Sequence, residues 1–182
     1  MIYASLDTIA DKLNFYLKSR FAVAEDKVLI SNLVNQDGTP AISEADKVVI
    51  TLVNIQEESI GSRRSGLDGM NRPINLNLYV LFSAYFIDGN YSEALKFLSA
   101  VISFFQANVV FNQVNTPDLP LNIEKLTFEI VNQDLQSQSH LWGTLGGKYI
   151  PSVIYKVRMI TIQESNMDID TPRISGVGSN NF

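Results

Sequence analysis

A Gly-Gly-Lys sequence at residues 146–148 is the part of this chain that most resembles a phosphate-binding loop. Such a loop reads G-x-x-x-x-G-K-[ST] and lies between a strand and the helix that follows it. Here Trp142 occupies the position of the first required glycine, and Tyr149 stands where a magnesium-binding hydroxyl is needed. The loop also follows a predicted helix and precedes a predicted strand, which is the reverse order. The pattern therefore indicates a helix end, with Gly146 or Gly147 in the left-handed conformation.

The remaining candidates for chemistry are one histidine and the carboxylates. His140 is the only histidine, and the chain has no cysteine, which excludes disulfides and thiolate ligands. No carboxylates cluster at ligand spacing around His140, and Glu124 and Glu129 fall on opposite faces of a predicted strand. A Ser-His-Asp arrangement would have to use His140, and nothing singles out its serine. We therefore predict that the protein is not an enzyme and holds no metal or cofactor.

Composition narrows the choice of partners. The formal net charge is −5, so no basic excess is present to contact phosphates, and nucleic-acid binding is not expected. No apolar run reaches the roughly 18 residues of a membrane span. The first residues lack the basic region and unbroken apolar core of a secretory signal. Charged residues make up 18%, below the roughly 25% of ordinary domains, which suggests a surface partly covered by another protein.

Helices and strands are mixed along the chain. Apolar residues recur at spacings of three and four over residues 3–20 and 91–107, which predicts helices, and a short helix is expected within residues 133–145. The second helix should bury one face, formed by Leu95, Leu98, Val101, Ile102 and Phe105 and widened by Phe97 and Phe104. Runs rich in branched and aromatic residues predict strands at residues 27–34, 46–56, 73–86, 123–131 and 149–162.

The connections and alternation refine this prediction. Turn residues between the first two strands favour a hairpin. The run at 73–86 alternates cleanly and would extend over roughly 40 Å, long enough to project beyond the domain. In the strand at 123–131 we expect Leu126, Phe128 and Ile130 to point inward. The whole predicts a single α+β domain over residues 1–164, a mixed, mostly antiparallel sheet flanked by helices, and a polar extension at 165–182.

A long loop at residues 58–72 carries Arg63 and Arg64. Long loops in compact domains are often functional or disordered. Three interpretations stay open for it: a solvated hairpin tip, contact with a neighbouring subunit, or anion binding by the two arginines.

Six segments, taken in order, resemble one known family: LNFYLKSRF, VVITLVNIQEE, LNLYVLFSAYF, EALKFLSAVISFFQ, LPLNIEKLTFEIVN and LWGTLGGKYIPSVIYKVRMITI. They are similar to the cap, or tail-terminator-like, proteins of extracellular contractile injection systems, the particles typified by antifeeding prophages and Photorhabdus virulence cassettes. The resemblance covers roughly residues 1–164.

This resemblance implies a tail-terminator-like fold and a structural role. Such caps form a six-fold ring on the end of the inner tube distal to the baseplate, stop tube growth and engage the last sheath layer. Assembly would take place in the bacterial cytoplasm, within a phage-tail-like particle that can be released from the cell. The alternative is another structural part of the same particle, such as a baseplate component or a tube adaptor.

Partner contacts follow as expectations. Sheath engagement could use strand addition at a free edge, which we place on residues 149–162 or 74–86. A polar tail is rarely ordered in isolation, so if it is ordered we expect it on a neighbour. The predicted partner-binding residues are Arg63, Arg64, Trp142, Tyr149, Ile174, Val177 and Phe182.

Overall fold

The structure is a computed structural model that describes residues 1–58, 75–86 and 90–161. Its helices are α1 (Ile2–Phe21), α2 (Tyr91–Ala107) and α3 (Leu135–Leu145). Its strands are β1 (Val28–Ile30), β2 (Lys47–Glu57), β3 (Leu76–Tyr85), β4 (Val110–Asn112), β5 (Ile123–Ile130) and β6 (Ser152–Thr161). The strands form one sheet in the order β1-β2-β3-β6-β5-β4, antiparallel except for the β1–β2 pair. The predicted α+β class is confirmed.

The predicted hairpin between the first two strands is wrong. β1 and β2 run parallel, with Val28 opposite Val48. The turn residues are present, but they close a smaller loop inside the connection, where Val34 bridges Pro40 and Gly38 takes a φ of 83°. The turn residues correctly predicted a turn, but that turn does not join β1 to β2 as a hairpin.

The main core lies between one face of the sheet and helices α1 and α2. Its centre is an aromatic cluster around Phe105, whose ring stacks on Phe128 at a centroid distance of 4.4 Å and meets Phe82 edge-on at 4.9 Å. Tyr155 completes the cluster, and burial raises the pKa of its hydroxyl. Such ring pairs add stability beyond the apolar area that they bury.

Three predicted core positions are exposed instead. Leu95 and Ile102 are 42% and 37% exposed, because α2 turns Ala94, Ala100 and its phenylalanines toward the sheet. The alanines allow close approach of the helix backbone. Ile130 was also expected inside and is 48% exposed, since β4 pairs only with Lys125–Thr127 and leaves the end of β5 without that neighbour. Leu126 and Phe128 are buried as predicted.

A second, smaller core covers part of the opposite sheet face. It consists of the buried residues Leu33, Ile42, Val49, Leu81, Trp142 and Ile154. They come from the 31–46 connection, from α3 and from one half of β2, β3 and β6. The alternation of the third strand is therefore confirmed, and both of its faces are covered in this half of the sheet.

Each edge of the sheet ends on an asparagine side chain. At the β1 edge, the buried Asn14 of α1 accepts hydrogen bonds from the N–H groups of Lys27 and Val28 and donates to the carbonyl of Val28. At the β4 edge, Asn115 donates to the carbonyl of Val110 at 2.8 Å and accepts from the N–H of Asn112 at 2.9 Å. Both carboxamides take the place that a further strand would occupy.

Helix α1 lies between these two edges. Asn14 reaches the β1 side, while on the other flank Thr8 donates to the carbonyl of Asp118 and Lys12 to that of Asn115. The face between the two flanks carries Leu6, Ile9 and Leu13 and packs on the core. A helix can touch both edges only if the sheet curls around it.

The strand-addition hypothesis is wrong about the edge. In the described residues, β3 has β2 and β6 as neighbours, and β6 has β3 and β5. From Tyr155 to Met159 β6 is paired on both sides, and β3 is paired on both sides from Leu76 to Ser83. Residues 74, 87–89 and 162, with the long loop and the tail, lie outside the described part, so the predicted projection of the third strand has no test here.

We predict that Asn14→Ala lowers the free energy of unfolding by about 2–4 kcal/mol, because buried backbone groups lose their partners. Asn115→Ala removes an equivalent edge contact at an exposed residue, where water can replace the carboxamide, and should cost about 1 kcal/mol or less. Urea unfolding of both variants measures the difference. Equal losses would contradict the structural role assigned to Asn14.

Candidate interaction surfaces

The Gly-Gly-Lys sequence ends α3, as predicted. Gly146 is the C-cap, with a φ of 70° in the left-handed region, and its N–H donates to the carbonyl of Gly143. At the other end of the helix, Asp134 caps α3 by accepting from the N–H of Ser137 at 2.7 Å. This bond holds the pKa of the Asp134 carboxyl below its ordinary value. The loop is therefore a helix-to-strand connection that aims the chain into β6.

Trp142 and Tyr149 are brought together at this connection. Their rings meet edge-on at a centroid distance of 5.6 Å. Trp142 is 5% exposed and belongs to the second core, whereas Tyr149 is 56% exposed. Gly147 lies beneath the indole, where an added Cβ would sit 3.4 Å from Val34. The buried tryptophan holds the surface tyrosine in place, and partner binding by either residue stays a prediction.

A cavity of about 400 Å³ opens beside the same residues. Its lining is largely apolar, from Val34, Pro40, Trp142 and Ile150, with Lys148 at the rim. A second cavity of about 580 Å³ lies between α1 and the 104–118 segment, with the 78%-exposed Phe15 on its wall. Asp11, Lys12 and Asp118 also line the second cavity, and Lys12 is bonded there to the carbonyl of Asn115.

The other predicted partner-binding residues cannot be placed. Arg63 and Arg64 in the long loop, and Ile174, Val177 and Phe182 in the tail, lie outside the described residues. His140 is exposed on α3, where its carbonyl accepts from Thr144. Within residues 1–58, 75–86 and 90–161, no group of three or more His, Asp or Glu side chains could hold a metal ion. Among the helices in those ranges, none has the length and hydropathy that a membrane span requires.

Sequence reasoning missed a polar area on the sheet. The second core covers only one half of its face, and the other half presents side chains from four strands. We name this area the open sheet face and define it by Asn54, Gln56, Asn77, Tyr79, Lys125, Thr127, Glu129, Lys156 and Arg158. Cross-strand register puts Tyr79, Lys156 and Glu129 in one row, and Asn77, Arg158 and Thr127 in the next. The alternation of polar residues along β5 and β6 could have predicted this polar area from the sequence.

Comparisons with known proteins point to one family. The family model described as the Pvc16 N-terminal domain matches residues 6–175. The fold is similar to the sheath/tube terminator of an extracellular contractile injection system, PVC, in its extended state, with a TM-score of 0.61 and 18% identity. It is also similar to the tube-terminating cap of the anti-feeding prophage, with a TM-score of 0.54 and 16% identity.

Coverage in these comparisons is unequal. The first match covers 100% of this chain and 63% of the terminator, and the second covers 94% of this chain and 60% of the cap. The chain thus spans less than two thirds of the length of either protein. A search of curated protein sequences found no significant match.

Two glycine substitutions in α3 test its assigned end. Gly146→Ala should lower the free energy of unfolding by about 1 kcal/mol, because alanine is strained at a φ of 70° although the space around it is open. Gly143→Ala, inside the helix and equally unobstructed, should raise it by about 0.5 kcal/mol. Thermal or urea unfolding distinguishes them. Shifts of the same sign would mean that the helix does not end at Gly146.

Proposed function

The chain belongs to the Pvc16 N-terminal domain family, and on that premise we propose that it is a structural cap of an extracellular contractile injection system. The cap forms a ring on the baseplate-distal end of the inner tube, ends tube growth and engages the last layer of sheath. It acts without catalysis or cofactor. It assembles in the bacterial cytoplasm and remains part of a phage-tail-like particle that can leave the cell.

The observation that carries this proposal is a fold match over the whole chain. The match to a solved sheath/tube terminator covers 100% of this chain, and the match to a tube-terminating cap covers 94% of it. Both are terminators, which favours the cap over a baseplate component or a tube adaptor. The absence of a metal-binding cluster in the described residues is compatible with a role that depends on shape.

A cap works by presenting two different surfaces. One surface must match the end of the tube, and the other must not repeat it, so that no further tube subunit can add. Around the ring, each subunit needs two complementary surfaces that make a heterologous contact and close after a fixed number of copies. Six copies of the 20.3 kDa chain would have a mass of about 120 kDa.

The partner contacts belong to this proposal. We place Tyr149, supported by Trp142, on a surface that faces another chain, because a large aromatic ring with 56% exposure is a suitable anchor. Arg63 and Arg64 contact a neighbouring subunit from the long loop. Residues 165–182 form an extension outside the cap domain, with Ile174, Val177 and Phe182 as its apolar anchors on a neighbour.

Omitting the chain from particle assembly should change the ends of the particles. Without a cap, tube growth has no stop, so we expect a broad distribution of tube lengths and sheath missing from the distal end. Electron microscopy of particles assembled with and without the chain measures both. Restoring the wild-type chain in the same assembly is the control. Uniform lengths with intact distal ends in its absence would contradict the proposal.

The tail is tested by a deletion and a milder variant. Removing residues 166–182 should weaken the assembly without unfolding the domain, and so should Ile174→Ala/Val177→Ala/Phe182→Ala, since both remove the apolar anchors. Native mass measurement of each variant with purified tube reports the number of copies bound. An unchanged ring that still binds tube and sheath would show that the tail has no part in assembly.

A further inference from the structure

The open sheet face carries more cations than carboxylates, with Lys125, Lys156 and Arg158 against Glu129. Lys125 and Lys156 form no salt bridge or hydrogen bond in the described residues, and both are half-buried. Arg158 is held by Glu58, with 2.7 Å between Nε and the carboxylate. The register places Glu129 opposite Lys156, and no salt bridge joins the two in the described residues. A half-buried area with more cations than carboxylates is suited to a partner that brings carboxylates.

The opposite side of the molecule carries the complementary charges. On α1, the positions that point away from the core repeat every four residues as Asp7, Asp11 and Phe15. All three are exposed, Phe15 to 78%. The nearby cations are engaged elsewhere, since Lys12 donates to the carbonyl of Asn115 and Lys18 pairs with Asp26. The two aspartates are left unpaired in the described residues. We name Asp7, Asp11 and Phe15 the outer stripe of α1.

We propose that the outer stripe of α1 in one copy docks on the open sheet face of the next copy. This contact rests on the proposed ring and identifies its subunit interface. The aspartates pair with Lys125 and Lys156, and Phe15 packs on the lysine stems and the ring of Tyr79. Because the two surfaces lie on opposite sides of one subunit, the contact is head to tail. Repetition of such a contact generates a ring when the rotation between copies closes.

A charge swap tests the pairing directly. Asp7→Lys/Asp11→Lys makes both surfaces positive, and Lys125→Glu/Lys156→Glu makes both negative. Either variant alone should associate at least about 100-fold more weakly than the wild type at low salt, because like charges would face each other. Native mass measurement and sedimentation of the full chain, alone and bound to purified tube, give the dissociation constants and copy numbers.

A mixture of the two charge-swapped variants gives the most specific test of the contact. In an equimolar mixture of the two variants, every contact between unlike copies again joins opposite charges, so rings of alternating copies should form with an affinity near that of the wild type. A single chain with all four substitutions should also assemble with itself. Lys96→Glu reverses a charge on α2, outside both surfaces, and should behave like the wild type.

The outcomes separate this contact from the function of the protein. If the wild type forms rings and the swapped variants do as well, or if mixing restores nothing, the proposed contact is wrong while the cap function stands. If the wild type forms no ring either alone or on the tube, the contact and the proposed function both fail. Circular dichroism of each variant shows that the domain is folded in every arm.

Discussion

An open β-sheet leaves unpaired backbone groups at both edges, and the rest of this structure depends on how those groups are satisfied. Here α1 lies between the two edges. Asn14 pairs with Val28 on one side, and Asn115, tied to α1 through Lys12, pairs with Val110 on the other. Each carboxamide supplies one donor and one acceptor, which is what a neighbouring strand would offer at that position. The edge strands are thus capped at Val28 and at Val110 by side chains.

Closed edges have a consequence for a protein that would end a polymer. A free strand edge is a template on which another chain can add, and natural proteins block such edges. In the part of β2 beyond β1, the N–H of Ile55 is also used internally, since it donates to the side chain of Asn54 beside the irregularity at Val53. Because these edge positions are occupied, we expect the described domain to meet partners mainly through helix and sheet faces. Faces can be shaped to fit one neighbour and reject further copies.

The sequence predicted the elements better than their arrangement. Periodicity gave α2 at Tyr91–Ala107 and located α1, because a buried helix face leaves a regular apolar pattern. The short helix expected within residues 133–145 is α3. Turn chemistry found the bend near Gly38, but a turn is local and carries no information on which strands pair across it. That is why the parallel β1–β2 pair was missed. Asn14 lay unnoticed on the flank of an apolar stripe, since its function depends on Val28, which becomes its neighbour only in the folded chain.

The distribution of charge connects the fold to its surfaces. Lys27 and Lys47 are nearly buried at the start of β1 and β2, where Lys27 pairs with Glu25 and Lys47 bonds the carbonyl of Asp26. Charges used in this way fix strand entry and leave fewer for the exterior of a chain with only 18% charged residues. In the described residues, those without a salt bridge include Asp7 and Asp11 on the outer side of α1 and Lys125 and Lys156 on the far face of the sheet. A subunit with opposite charges on opposite sides can stack on its own copies in one orientation only, because reversing a copy would bring like charges together.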